Sequence, residues 1–192
     1  MHPIEHIRQF ARITPEIEQS LYSTMQQRSF RKGETIRGAI NIATYAYYIE
    51  KGSARVFFTQ GGRGHTISFC FDDEFILTGS AILKNHPDTL SIQFLEPTDI
   101  VYIPHLKIKD VLEDSASIDD VPALIFLTSA LFRYNSFLEE RLHVMQTLSA
   151  PERYHWAITR YPRLLQTATI TQIASFLGLT KETLYRIRHN NY

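Results

Sequence analysis

Apolar positions along the 192-residue chain follow two periods, and the switch between them divides the molecule. At the start, Ile4, Ile7 and Phe10 keep helical spacing. Thr14-Pro15 then pairs a capping residue with a proline at the first helical position, and Ile17, Leu21 and Met25 continue at i, i+4 and i+8. From about Ser29 the period drops to two. Phe30-Arg31-Lys32-Gly33-Glu34-Thr35-Ile36 predicts a strand, a glycine turn and a return. Tyr45 to Phe58 predicts a strand, a turn at Gly52 and a second strand. Gln60-Gly61-Gly62-Arg63-Gly64 is a hairpin turn into the alternating run Thr66 to Phe71, and Ser91–Leu95 and Asp99–Ile103 add two more strands. Short strands at regular spacing predict a sandwich or small barrel.

After Pro104 the pattern turns helical again. Asp119-Asp120 ahead of Pro122 is a helix start, with acidic groups and a proline in the first turn. Leu124, Leu127, Leu131, Tyr134, Leu138, Arg141 and Met145 then alternate spacings of three and four, a heptad seam with Arg141 as its one polar member. Such a helix packs on its own sheet or, between two domains, seams a dimer; the dimer is the expectation. Two capping boxes follow, Ser149-Ala150-Pro151-Glu152 and Thr169-Ile170-Thr171-Gln172. Between them Tyr154, Trp156, Ile158, Tyr161, Leu164 and Leu165 supply a local apolar core. The expected fold class is α+β: an antiparallel β-roll over 1–118, a long helix over 119–148 and a small all-α unit over 149–192.

Charge sharpens this division. The net charge is zero, but residues 1–149 carry 14 Lys and Arg against 18 Asp and Glu, and residues 150–192 carry 6 against 2. A basic tail on an acidic body points to a polyanionic partner for the tail.

The strongest motif lies between Ile170 and His189. Ile173, Ala174 and Leu177 form the inward face of one short helix, and Leu184 and Ile187 that of the next. Gly178-Leu179-Thr180 separates them, which is helix-turn-helix spacing. Ala174 is small where the helices cross. Gly178 can take the left-handed conformation that ends the first helix, Leu179 plugs the angle, and Thr180 can cap the second helix. Glu182 then sits favourably on the N-terminal dipole. Thr180, Lys181, Glu182, Tyr185, Arg186 and Arg188 are left outward, together with His189. These groups read base edges or hold phosphates. A helical hairpin with a solvated charged face is the competing reading.

The order of parts resembles the Crp/Fnr family of bacterial transcription regulators over essentially the whole chain. Phe30-x-x-Gly33-Glu34-x-Ile36 and Tyr48-Ile49-x-x-Gly52-x-x-Arg55-Val56 are similar to that family's glycine-turn strands, resembling a cyclic-nucleotide-binding (jelly-roll) domain. Thr180-Lys181-Glu182-Thr183-Leu184-Tyr185-Arg186 resembles its recognition helix. The resemblance implies Lys181, Glu182 and Arg186 as base-reading residues and a homodimer seamed through Leu124, Leu127, Leu131, Tyr134, Leu138 and Met145. It also implies a near-palindromic double-stranded DNA operator, with RNA polymerase as a further partner.

Two departures stand out. The family's β-hairpin wing after the recognition helix is not expected, because the sequence given ends at Tyr192. In the roll, Leu77-Thr78 stand where cyclic-nucleotide binders carry Gly-Glu, and Asp88-Thr89 where they carry Arg followed by Ser or Thr. A carboxylate beside a cyclic phosphate repels it by ~4 kcal/mol at close range in a partly shielded site. Cyclic AMP is therefore not the expected effector, although these four positions remain the expected effector pocket.

Other chemistry is thin. Cys70 is the sole cysteine, which excludes a disulfide framework or a cysteine-ligated cluster within one chain. The eight histidines show no metal-ligand spacing. His65 and Cys70 read as a loop histidine and a small strand residue rather than haem or redox ligands. No metal, cofactor, nucleophile motif or enzymatic activity is expected, and neither is a membrane span or secretion signal. The expected function is that of a cytoplasmic homodimeric DNA-binding regulator. The alternative is a degenerate roll that mediates protein–protein contact without binding DNA.

Overall fold

The computed structural model describes residues 2–9, 13–38, 45–76, 90–104 and 121–189. Two short helices, α1 (Pro3–Arg8) and α2 (Pro15–Thr24), precede eight strands. These are β1 (Gln26–Phe30), β2 (Thr35–Arg37), β3 (Tyr45–Lys51), β4 (Ala54–Gln60), β5 (Arg63–Cys70), β6 (Glu74–Ile76), β7 (Leu90–Phe94) and β8 (Thr98–Pro104). A 27-residue helix, α3 (Val121–Thr147), leads into α4 (Ala150–Arg160), α5 (Leu164–Thr167), α6 (Ile170–Leu177) and α7 (Lys181–His189).

The strands form two antiparallel four-stranded sheets, in the orders β1-β8-β3-β6 and β2-β7-β4-β5. This is the expected roll, but two of its glycine turns do a different job from the one predicted. The return after Gly33 does not pair with the strand before it, because β1 pairs with β8 while β2 pairs with β7. Gly52 likewise passes the chain from β3 in one sheet to β4 in the other. Its φ is 118°, and a Cβ there would meet the Thr98 backbone at 2.8 Å, so only glycine lets the crossing chain lie this close to β8. The Gly61-Gly62 turn does close a true hairpin, between β4 and β5.

Alternation places one face of each sheet inside. In β4, Ala54 and Val56 are fully buried while Arg55 and Phe57 are half-buried on the outer face. The inner faces contribute Phe30, Ile49, Val56, Ile76, Leu90, Ile92, Phe94 and Ile100 to one core, with Phe30 stacked on Phe94 at 4.0 Å. Cys70 belongs to this core, and burial raises its thiol pKa well above the ordinary value, which leaves it inert as a nucleophile. Strand β6 was not evident in the pattern. It pairs with Tyr47–Ile49 after a tight turn in which Asp73, at φ 64°, donates its N–H to the Ile49 carbonyl at 2.8 Å.

A second core gathers the C-terminal helices. Ala157, Tyr161, Leu164, Ile173, Ala174, Phe176, Leu177 and Leu184 are its buried members, and Phe69 and Leu95 enter it from the roll. The roll thus uses both faces of β5, with Cys70 turned inward and Phe69 turned out towards the helices.

Candidate nucleic-acid interface

Each position of the helix-turn-helix motif has its structural counterpart. Thr169 caps α6 in a capping box: its hydroxyl accepts from Gln172 N at 3.3 Å, and its own N–H donates to Gln172 Oε1 at 2.8 Å. Gly178 ends the helix at φ 65°, ψ 33°, in the left-handed region, and the Leu179 N–H reaches back to the Ala174 carbonyl at 2.9 Å. A Cβ on Gly178 would also lie 2.6 Å from Met145 Cε, so the long helix comes close at the turn. Thr180 Oγ accepts from Thr183 N at 3.1 Å and so caps α7. Ile173, Ala174, Leu177, Leu184 and Ile187 are all buried between the two helices.

The opposite side of α7 is open. Lys181, Glu182, Tyr185, Arg186, Arg188 and His189 are exposed. Glu182 lies in the first turn and Arg186, Arg188 and His189 in the last, the order the helix dipole favours. Of the other tail cations, Arg153 and Arg163 are tied to neighbouring elements and Arg160 is exposed. Arg153 donates to the Leu148 carbonyl at 2.9 Å and the Leu177 carbonyl at 3.4 Å, closing the ends of α3 and α6. Arg163 pairs with Asp72 and, at 2.7 Å, with Glu96, both on the roll. Arg160 lies over the Tyr161 ring at 5.2 Å. Three of the four exposed tail cations, Lys181, Arg186 and Arg188, therefore stand on α7.

The helices are seated on the outer face of the second sheet. Phe69 makes edge contacts with Phe176 and Tyr161, at 5.2 and 6.2 Å between centroids. Ser175 Oγ accepts from Thr66 N at 3.0 Å and donates to the Gly64 carbonyl at 3.1 Å, joining α6 to β5. Gln172 Nε2 donates to Gln93 Oε1 at 3.2 Å, and Arg55 Nε donates to the same oxygen at 2.9 Å. The Arg55 guanidinium stacks 4.2 Å over Phe57.

Comparison with known proteins agrees with this geometry. Residues 27–115 match the family model for the cyclic nucleotide-binding domain. FixK2 from Bradyrhizobium japonicum superposes with a TM-score of 0.70 at 19% identity, covering 86% of this chain and 83% of FixK2. A regulator of the Crp/Fnr family from Eubacterium rectale gives 0.70 at 18% identity, covering 93% of this chain and 83% of that one. The c-di-GMP-responsive global regulator CLP from Xanthomonas campestris gives 0.64 at 14% identity, with 91% and 89% covered. The chain has the fold of the Crp/Fnr transcription regulators. No curated protein sequence matches it.

In this Crp/Fnr fold the long helix shows two faces. Leu131, Leu138 and Leu142 are exposed at 44%, 41% and 57%, with Phe132 beside them at 69%. Tyr134, Phe137, Arg141 and Val144 face inward: Phe137 packs on the second core, and Val144 is buried. Of the residues expected along the seam, Leu131 and Leu138 lie on the open stripe, while Tyr134 is half-buried beside Phe137 and Met145 meets Gly178. Leu142 and Phe132 were not anticipated as part of this exposed surface. Leu124 and Leu127 belong to α3, but their side chains fall outside the described residues. So do Phe10, Asp119 and Asp120, and the expected effector positions Leu77, Thr78, Asp88 and Thr89. Among the described residues no cluster of His, Cys, Asp or Glu could hold a metal ion, and no helix is long and apolar enough to cross a membrane.

Proposed function

We propose that this chain is a homodimeric, cytoplasmic DNA-binding transcription regulator whose recognition element is α7. The observation that carries the reading is the division of that helix: Leu184 and Ile187 are buried, and Lys181, Arg186 and Arg188 stand on the exposed side. Arg186 reads a base edge, with guanine O6 and N7 as its best partners, and Arg188 holds a phosphate. Two copies related by a two-fold axis place their α7 helices in successive major grooves of a near-palindrome, with half-site centres about 34 Å apart. The stripe Leu131–Leu138–Leu142 supplies the seam, with Leu124 and Leu127 continuing it.

An effector or partner bound in the roll acts by biasing the arrangement of the roll, α3 and the helix-turn-helix unit, and so the angle between the two recognition helices. Asp88, where a phosphate-binding arginine would stand, argues that this effector is not cyclic AMP. RNA polymerase is a further partner that such a regulator engages at its promoter.

Selection of bound sequences from a random duplex pool, followed by salt titration, tests the reading. A palindromic site should emerge. Arg186→Ala should cost about 1–3 kcal/mol on that site and relax preference at one position per half-site. Arg188→Ala should weaken all duplexes alike and lower the salt slope by about one. Absence of duplex binding at low salt would overturn the proposal.

A further inference from the structure

Successive residues of an α-helix are rotated by about 100°, so the buried pair Leu184 and Ile187 fixes which way the rest of α7 points. The direction opposite their mean falls among Glu182, Tyr185, Arg186 and His189, while Lys181 and Arg188 lie together on one flank, about 20° apart. That flank suits a phosphate strand better than the base edge the resemblance implies for Lys181. The centre of the presented face is thus a carboxylate, an arginine, an imidazole and one aromatic ring. That ring, Tyr185, is 42% exposed and is the one large apolar group on an otherwise polar surface.

The ring is also held. Lys181 Nζ lies 5.6 Å from its centroid one turn earlier, and the His189 ring lies 6.4 Å away one turn later. His189 Nδ1 is 2.8 Å from the Tyr185 carbonyl. A carbonyl can only accept, so Nδ1 donates and the imidazole is anchored against the helix. Tyr185 therefore offers a rigid apolar surface at small entropic cost. In the major groove all four base pairs present polar edges, and the one apolar group is the 5-methyl of thymine.

We infer that Tyr185 is a specificity-determining residue that selects a 5-methylated pyrimidine, thymine in ordinary DNA, at one position in each half-site. This rests on the duplex-binding reading above. The contact takes place between the ring and the methyl group, beside the position read by Arg186. Cytosine at the same place would put an unmethylated C5 and a polar amino group under the ring. Lys181 acts on the backbone, with its ammonium also steadying the ring.

The test uses the full-length chain and the duplex recovered by selection, with each thymine of the half-site replaced in turn by deoxyuridine, which removes only the methyl. At one position the wild type should lose about fourfold in affinity per half-site, the worth of one buried methyl group. Substitution in both half-sites should cost roughly fifteenfold. Tyr185→Phe should keep that sensitivity, and Tyr185→Ala should bind thymine and deoxyuridine duplexes alike. Far-UV circular dichroism should show both variants folded, since the position is exposed. If the wild type binds every deoxyuridine duplex as tightly as its thymine parent, the inference is overturned while duplex binding stands. If Tyr185→Phe weakens thymine and deoxyuridine duplexes equally, the phenol hydroxyl rather than the ring makes the contact, which also overturns it. Failure of the wild type to bind any duplex would remove the underlying reading and this one with it.

Discussion

The helical unit does not close its core alone, and Phe69→Ala measures how far its stability belongs to the roll. Phe69 is 2% exposed, sits on the outer face of β5, and touches Phe176 and Tyr161 edge-on. Truncating a buried phenylalanine costs about 3–5 kcal/mol, including the ~0.5–1.5 kcal/mol of the edge contacts. Against a typical total of about 5–15 kcal/mol, this is a large share. The chain carries its own reporter, since its sole tryptophan, Trp156, stacks on Phe176 at 5.7 Å with planes 16° apart. Urea unfolding should be followed by Trp156 fluorescence and by far-UV circular dichroism at one fixed protein concentration, because the midpoints of a dimer, as proposed above, depend on concentration. The two wild-type curves should coincide. In Phe69→Ala both midpoints should fall, with the fluorescence transition preceding the dichroism transition because the helices lose their seat before the strands unpair. If the Trp156 midpoint stays at its wild-type value, the helical unit is self-sufficient and the shared core is only contact.

Three further outcomes are expected. Leu131→Asp with Leu138→Asp should give a folded monomer by light scattering, since both side chains are exposed within one chain and charge in an apolar seam opposes association; an unchanged dimer would place the interface elsewhere. Calorimetric titration with cyclic AMP and cyclic GMP should show no binding at micromolar concentrations, and Asp88→Arg alone should not create it, because Leu77-Thr78 supplies no ribose carboxylate; a micromolar dissociation constant would refute this. Burial raises the Glu74 carboxyl above its ordinary 4.5, even though it accepts a 2.9 Å bond from the Phe71 N–H. Its stabilising contribution is therefore present below the unfolded pKa and lost as pH rises through the folded one. Glu74→Gln should raise the melting temperature at neutral pH and lose that advantage on acidification, and an equal gain at all pH values would exclude burial as the cause.

The helix-turn-helix was legible because its constraints are local. Gly178, Ala174 and Thr180 do what their residue types dictate within one or two turns of chain, and no distant element is needed to interpret them. The roll was legible as strands but not as pairings. Whether the chain doubles back at Gly33 or crosses to the other sheet depends on β7 and β8, some sixty residues on. Phe69 was read as one more alternating strand position, because nothing in the sequence shows that the outer face of β5 is roofed by helices. Net charge misled by degree: the surplus of the tail is real, but Arg163 spends its charge on Asp72 and Glu96, and only the partner residues reveal that.

The long helix shows most clearly where periodicity runs out. On a helix, residues three apart point about 60° away from one another, so an alternation of three and four marks two rows rather than one line. The stripe read as Leu131, Tyr134, Leu138, Arg141 and Met145 therefore spans two faces. Leu131, Leu138 and Leu142 form the open one, and Tyr134, Phe137, Arg141 and Val144 the closed one. Arg141, the polar exception in the sequence pattern, is no defect in a seam. Its Nη2 donates to the Phe176 carbonyl at 2.9 Å, at the end of α6, and lies 3.5 Å from the Thr66 carbonyl on β5, with the guanidinium 4.8 Å over the Phe176 ring. One side chain thus joins the long helix, the roll and the helix-turn-helix unit. Its Nε has no hydrogen-bond partner among the described residues, and burial lowers its pKa. Holding a cation there is costly, and an apolar residue would pack the same face more cheaply. What an apolar residue would not do is engage a strand carbonyl and a helix terminus at once, so a shift of α3 along its seam must move both or break the bond to one of them.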